Sequence, residues 1–114
     1  MKDFIKVAKA VSDPNRVKIM KMLQHKTMCV CELQKALGVA QPTVSKHLKV
    51  LEEAGFVGYN KEDKWVNYHL SDGESSPYAA NLLGNLKHWL EDDPEISSLI
   101  KKLPMIQREE ICSR

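Results

Sequence analysis

Residues 31–54 read CELQKALGVAQPTVSKHLKVLEEA, and this stretch decides the fold. Leu33, Ala36 and Leu37 share one helical face. Gly38 follows them and suits the left-handed position that ends a helix. Val39-Ala40 leaves room only for a turn. From Gln41 to about Ala54 the apolar residues Val44, Leu48 and Leu51 recur at four and three residues, the buried stripe of a second helix. Pro42 is tolerated there because it falls in the first turn. Ala40 stands where a Ser or Thr cap is expected. Two helices joined by a tight, glycine-bearing turn make a helix-turn-helix unit.

Upstream, Phe4, Ile5, Ala8 and Val11 lie at helical spacing within residues 3–11. Asp13-Pro14 then reads as a helix start, with Asp13 as N-cap and Pro14 in the first turn. That helix runs to about Leu23, with Val17, Met20 and Leu23 on its buried stripe, and His25-Lys26 is a loop. Downstream of Gly55 the period changes. Phe56-Val57-Gly58-Tyr59 is β-prone, and Val66, Tyr68 and Leu70 alternate as in a half-buried strand. The polar Lys61-Glu62-Asp63-Lys64 between them reads as a hairpin loop. After a linker at 71–77, a fifth helix is expected from Pro77 or Tyr78 to about Leu90. Its apolar residues Ala79, Leu82, Leu83, Leu86, Trp89 and Leu90 cover more than one core stripe needs, so one side calls for a partner. Asp92-Asp93-Pro94 breaks that pattern.

The expected architecture is therefore mainly α with a small β hairpin, in the order α-α-α-α-β-β-α. That is a homodimeric winged helix-turn-helix occupying residues 1–92, with 93–114 as a C-terminal extension, helical or mobile. A chain of 114 residues allows one domain. No apolar stretch approaches the ~18 residues of a membrane span. The N-terminus MKDFIKVAKAV has no long apolar run, so no signal peptide is expected and the cytoplasm is the expected compartment. No Ser/His/Asp arrangement or phosphate-binding glycine loop is present. Glu52-Glu53 and Asp92-Asp93 are adjacent pairs, hence splayed. An enzyme is not expected.

Charge and side-chain type point instead to nucleic acid. Residues 1–64 hold twelve Lys or Arg against seven acids, while residues 65–114 hold five against eight. A basic first half suggests an anionic partner. Off the apolar stripe, the fourth helix carries Gln41, Thr43, Ser45, Lys46, His47 and Lys49, the donors, acceptors and cations a reading helix needs in the major groove. Gln41 suits adenine, and the lysines suit guanine or phosphate. Lys61 and Lys64 at the hairpin tip would reach the flanking backbone.

Ser45-Lys46-His47-Leu48-Lys49-Val50-Leu51 resembles the S-x-H-L-x-x-L signature of the ArsR/SmtB family of metal-responsive repressors. Residues 39–57 are similar to that family throughout, and Ala10-Val11-Ser12-Asp13-Pro14-Asn15-Arg16 resembles its opening motif. The likeness covers about residues 4–92. It implies a dimer joined through the first and last helices, bound to palindromic operator DNA and released by a metal or metalloid. No resident cofactor is implied; the inducer is the ligand.

Three cysteines, two of them in Cys29-Val30-Cys31, favour metal binding or reactivity over disulfide stapling. The stretch Met28-Cys29-Val30-Cys31-Glu32-Leu33 resembles the cysteine box of the family's arsenic- and cadmium-sensing members. The pair falls at the start of the third helix, whose positive end favours thiolate. In a regular helix the two sulfurs would point about 200° apart, so gripping one ion requires non-helical backbone there. The resemblance implies arsenite or antimonite as inducer, held either by three thiolates with Cys112 of the same or the other subunit as the third, or by two thiolates and one oxygen ligand with Cys112 a bystander. Cadmium or lead binding and thiol oxidation are alternatives on the same fold; a thiol metal chaperone lies outside it. The zinc site that the family carries on its last helix is not expected. Only His88 and Glu91 match it, and its partner positions fall at Ser75 and Pro77.

Overall fold

The computed structural model describes residues 1–106. The elements run α1 (Lys2–Ala10), α2 (Pro14–Leu23), β1 (Met28–Cys29), α3 (Val30–Leu37), α4 (Gln41–Glu53), β2 (Val57–Glu62), β3 (Trp65–Leu70), α5 (Pro77–Leu86) and α6 (Pro94–Lys102), followed by a 3-10 turn at Leu103–Met105. The helix-turn-helix, the hairpin wing and the expected order are all present. Asp13 caps α2 as expected, its carboxylate accepting from Asn15 N and Arg16 N at 2.8 and 3.2 Å. Gly38 ends α3 with φ of 73°, its N–H donating to Gln34 O at 2.8 Å. A side chain there would be strained whatever the space around it.

One strand is an addition. Met28 and Cys29 pair antiparallel with Tyr68 and Asn67 of β3, giving a three-stranded sheet in the order β1-β3-β2. Two residues are too few to show an alternating pattern, so nothing in the sequence marked them. The hairpin register runs from Val57 opposite Leu70 to Glu62 opposite Trp65. The expected four-residue loop therefore shrinks to Asp63-Lys64, with Asp63 at a left-handed φ of 60°.

Ile19, Met20 and Met22 of α2, Leu33 of α3, Val44, Leu48 and Leu51 of α4, and Phe56 form the centre of one core. Leu99 of α6, then Leu103 and Ile106, belong to the same cluster, so the chain beyond residue 92 is helical and packed as far as Ile106. In α1 the buried residues are Val7 and Ala10, while Phe4 and Ile5 are exposed. The periodic row Phe4, Ile5, Ala8 thus lies outside the core.

The fifth helix stops at Leu86, four residues short of the expectation. Lys21 supplies the reason. Its side chain is fully buried, and its ammonium donates to Leu86 O at 2.9 Å, Trp89 O at 2.8 Å and the Glu91 carboxylate at 2.5 Å. These bonds satisfy carbonyls that a helix end leaves open. The chain then closes in tight turns and leaves the helix with Leu90 at φ of 65°. A hydrophobic stripe does not foretell a buried lysine.

Removing that donor should therefore loosen the end of α5. Lys21→Met keeps most of the volume but leaves two carbonyls without it, and denaturant unfolding should show a loss of about 1–3 kcal/mol. A loss under about 0.5 kcal/mol would mean that water takes over both carbonyls.

Candidate functional site

Two groups of expected residues can now be placed. The first is the polar face of α4. Val44, Leu48 and Leu51 are buried, which turns Gln41, Thr43, Ser45, Lys46 and Lys49 outward as one exposed row. Ala40 takes the N-cap position of α4 with no side-chain cap bond, as expected. Lys49 lies 3.8 Å from Glu53, an exposed pair worth only a few tenths of a kcal/mol. On the wing, Lys61 and Lys64 are exposed, and the Lys64 ammonium sits 5.3 Å from the centroid of the Trp65 ring. Asn67 Nδ2 ties the strands together by donating to Glu62 Oε1 at 2.9 Å.

His47 is the exception on α4. Its side chain is only 12% exposed. Nδ1 lies 3.2 Å from an Arg16 nitrogen and Nε2 lies 3.8 Å from Asp13 Oδ1. Its position, three residues after Val44 and one before Leu48, puts it on the shoulder of the buried stripe. The ring packs against the start of α2 rather than joining the exposed row.

The second group is the cysteine pair. Cys29 belongs at once to β1, to the N-cap of α3 and to the core. Its backbone is extended, with φ of −90° and ψ of 170°, while Cys31 lies within the first turn of the helix. This meets the requirement that the pair not share regular helical backbone. Glu32, itself buried, accepts the Cys29 N–H at 3.0 Å in a capping box. The Lys26 ammonium lies 4.0 Å from Glu32 and donates to Ile106 O at 2.7 Å, so the C-terminal turn is fastened beside this box.

The expectation that the helix start favours thiolate at Cys29 is corrected. Burial pushes its thiol up from the ordinary value of 9.0, and the neighbouring Glu32 carboxylate adds to the rise. The N–H groups of Glu32 and Cys31 pull the other way and lose. Proximity to a helix N-terminus is visible in a sequence; depth below the surface is not. Cys31 is half-buried and engaged in interactions of its own. Cys112 lies outside the described residues. Among the described residues no three of His, Cys, Asp or Glu converge to hold an ion. His88 is exposed and Glu91 pairs with Lys21, so neither is drawn into a cluster on α5. No described helix is long and apolar enough to cross a membrane.

A helix with an exposed polar row that includes two lysines, packed on a second helix and flanked by a lysine-tipped hairpin, defines a winged helix-turn-helix DNA-binding protein. Comparison with known proteins narrows the class. Residues 13–59 match the family model described as bacterial regulatory protein, arsR family. The arsenical resistance operon repressor of Escherichia coli is 31% identical over 100 residues, spanning 87% of this chain and 83% of the relative. The cadmium resistance transcriptional regulatory protein CadC homolog of Staphylococcus aureus is 41% identical over 71 residues, 61% of this chain and 59% of the relative. Among solved structures, HlyU from Vibrio cholerae superposes with a TM-score of 0.63 at 29% identity, covering 76% of this chain and 90% of that one. The chain belongs to the arsR family and is a DNA-binding transcriptional regulator, not an enzyme.

The raised thiol sets a sign for pH dependence. A buried neutral Cys29 contributes stability that is fully present below about pH 9 and is lost as pH rises through the folded-state value. Urea unfolding of the wild type against Cys29→Ala should show the wild type losing ground between pH 8 and strongly alkaline pH. The loss should reach roughly 1.4 kcal/mol for each pH unit that separates the folded-state from the unfolded-state ionisation of the thiol. Parallel curves across that range would mean that Cys29 ionises as an ordinary exposed thiol does.

Proposed function

We propose that this protein is a cytoplasmic homodimeric repressor that leaves its operator when arsenite or antimonite is captured at Cys29 and Cys31, with Cys112 as the third thiolate. The observation that carries the reading is that Cys29 caps α3, the first arm of the helix-turn-helix, while α4 packs on that arm, with Leu33, Leu48 and Leu51 in one core. A ligand at the cap acts on the platform of the reading helix.

The chemistry suits the donors. Soft thiolates favour metalloids and soft metals over hard cations. An arsenite hydroxide leaves as water, carrying the thiol proton, as each S–As bond forms, and no electron is transferred. A buried protonated Cys29 keeps the site quiet until a ligand with that leaving group arrives. The same burial shields Cys29 itself from oxidants, which attack exposed thiolates, whereas Cys31 is only half-buried. The names of the relatives, one concerned with arsenicals and one with cadmium, support a metal or metalloid signal in general.

The dimer would form through α1 and α5. Phe4 and Ile5 of α1 and Tyr78 of α5 are exposed, with the Phe4 and Tyr78 rings edge to face at 5.4 Å. They make an apolar surface at the edge of a small domain, and a second copy would cover it. Two copies would present their reading helices to successive major grooves, ~34–36 Å apart. Gln41, Thr43 and Ser45 would meet bases or phosphates; Lys46 and Lys49 would meet phosphate or guanine; Lys61 and Lys64 would lie along the flanking backbone. His47, turned inward, would support this surface rather than read from it. Capture at the cap would weaken operator binding through a coupling of about 1–3 kcal/mol, from several-fold to about a hundredfold in affinity.

Fluorescence anisotropy on a selected operator tests both halves. Lys46→Ala should weaken binding to every sequence and lower the salt slope by about one for each phosphate the lysine neutralises. Cys29→Ser should leave DNA binding intact and abolish release by arsenite. Release that survives in Cys29→Ser places the sensor elsewhere, and an unchanged slope in Lys46→Ala removes that lysine from the phosphates.

A further inference from the structure

The segment Ser12-Asp13-Pro14-Asn15-Arg16 does more than start a helix. Arg16 Nε donates to Ala10 O at 2.8 Å and an Nη donates to Lys9 O at 3.0 Å, so the guanidinium closes the C-terminal end of α1. Its other Nη lies 3.2 Å from His47 Nδ1, thirty-one residues further along the chain. Arginine can only donate, so Nδ1 accepts and the ring proton sits on Nε2, towards Asp13. Asp13 in turn fixes the backbone of Asn15 and Arg16. One planar cation thus touches both α1, which carries exposed Phe4 and Ile5, and the middle of α4.

We propose that Arg16 is a positioning residue for operator recognition, setting the angle between the dimer-forming helix α1 and the reading helix α4 through His47. This rests on the dimer reading given above. Each subunit must present α4 at a fixed distance and tilt from its twin, because the two grooves it reads are one DNA turn apart. A swing of α4 relative to α1 leaves each reading surface intact but spoils the match of the second surface once the first has docked. The guanidinium suits this task. Its donors are held in one plane and reach three acceptors in different directions, which a lysine ammonium on a flexible stem does not reproduce. Arg16 needs no contact with DNA to act in this way.

The test compares a full palindromic operator with a duplex carrying one half-site, using the reduced full-length protein. Arg16→Lys and His47→Leu should each weaken full-operator binding at least about fivefold. Half-site affinity, the dimerisation constant by sedimentation and the salt slope should stay as in wild type. Operators with one base pair added or removed between half-sites should lose less affinity with the variants than with wild type, because the spacing is less strictly held. His47→Asn, which keeps an acceptor, should restore much of the full-site binding. Circular dichroism shows which variants fold; should Arg16→Lys fail, His47→Leu and His47→Asn carry the test.

Full-operator binding equal to wild type in the folded variants would overturn the proposal. So would a half-site affinity that falls by the same factor, which makes the effect local to α4. A salt slope lowered by about one would make Arg16 a phosphate contact instead. A wild type that sediments as a monomer on and off DNA removes the dimer reading, and this proposal falls with it for a visibly different reason.

Discussion

Cys29 is held by three constraints at once. It must extend to pair with Asn67 of β3, it must stop being a strand to cap α3, and it must pack in the core. The capping box with Glu32 satisfies the second demand and supplies a partner for the Cys29 N–H. Because α3 begins where β1 ends, with no residue between them, the wing sheet and the helix-turn-helix are joined at this point. The backbone there has no slack residue to absorb a change. A ligand pulling on this sulfur would act on the sheet and the helix together, a stiffer coupling than a thiol on a loop could give.

A second junction lies at His47, on the shoulder of the buried stripe of α4. The Asp13–Arg16–His47 contacts tie the reading helix to the corner between α1 and α2. The reading helix is thereby held at two places, by packing on α3 and by the α1–α2 corner. In the proposed dimer these clamps divide the work. One carries the chemical signal; the other carries the geometry that two subunits must share.

Much of this was legible in the sequence because its signals are local. Asp13-Pro14, Gly38, Pro77 and the stripe Val44, Leu48 and Leu51 each act within a few residues of themselves, and each stands in the structure as read. What escaped depends on residues distant in sequence. β1 exists because β3, about forty residues later, offers it an edge. The early end of α5 depends on Lys21, sixty-five residues before Leu86. His47 looks like a reading residue by type, and only Arg16 and Asp13 turn it inward. The thiol state of Cys29 reverses for the same reason: helix position is local, whereas burial is made by the whole chain. Among the exposed residues, the row on α4 could be named from sequence because its complement, the buried stripe, was already known.

The charge asymmetry changes meaning once the fold is known. Twelve cations in the first half suggest a broad field for DNA. Yet Lys21 is buried against Glu91, Lys18 pairs with Glu95 at 2.7 Å, Lys26 is turned to Ile106 and Glu32, and Arg16 to the end of α1. Two of these partners, Glu91 and Glu95, come from the acidic second half, so part of the imbalance holds α5 and α6 to α2. Lys2, Lys6 and Lys9 are exposed on α1 and Lys35 on α3, which leaves Lys46, Lys49, Lys61 and Lys64 on the proposed reading helix and wing, with Lys49 shared with Glu53. Each phosphate neutralised adds roughly 0.9 to the salt slope, so contacts from these four lysines would add at most about 3.6 per subunit. In the proposed dimer, affinity for an operator would come from engaging both half-sites at once. The geometry in which Arg16 and His47 hold α4 would then matter more than it would to a protein with a wide basic surface.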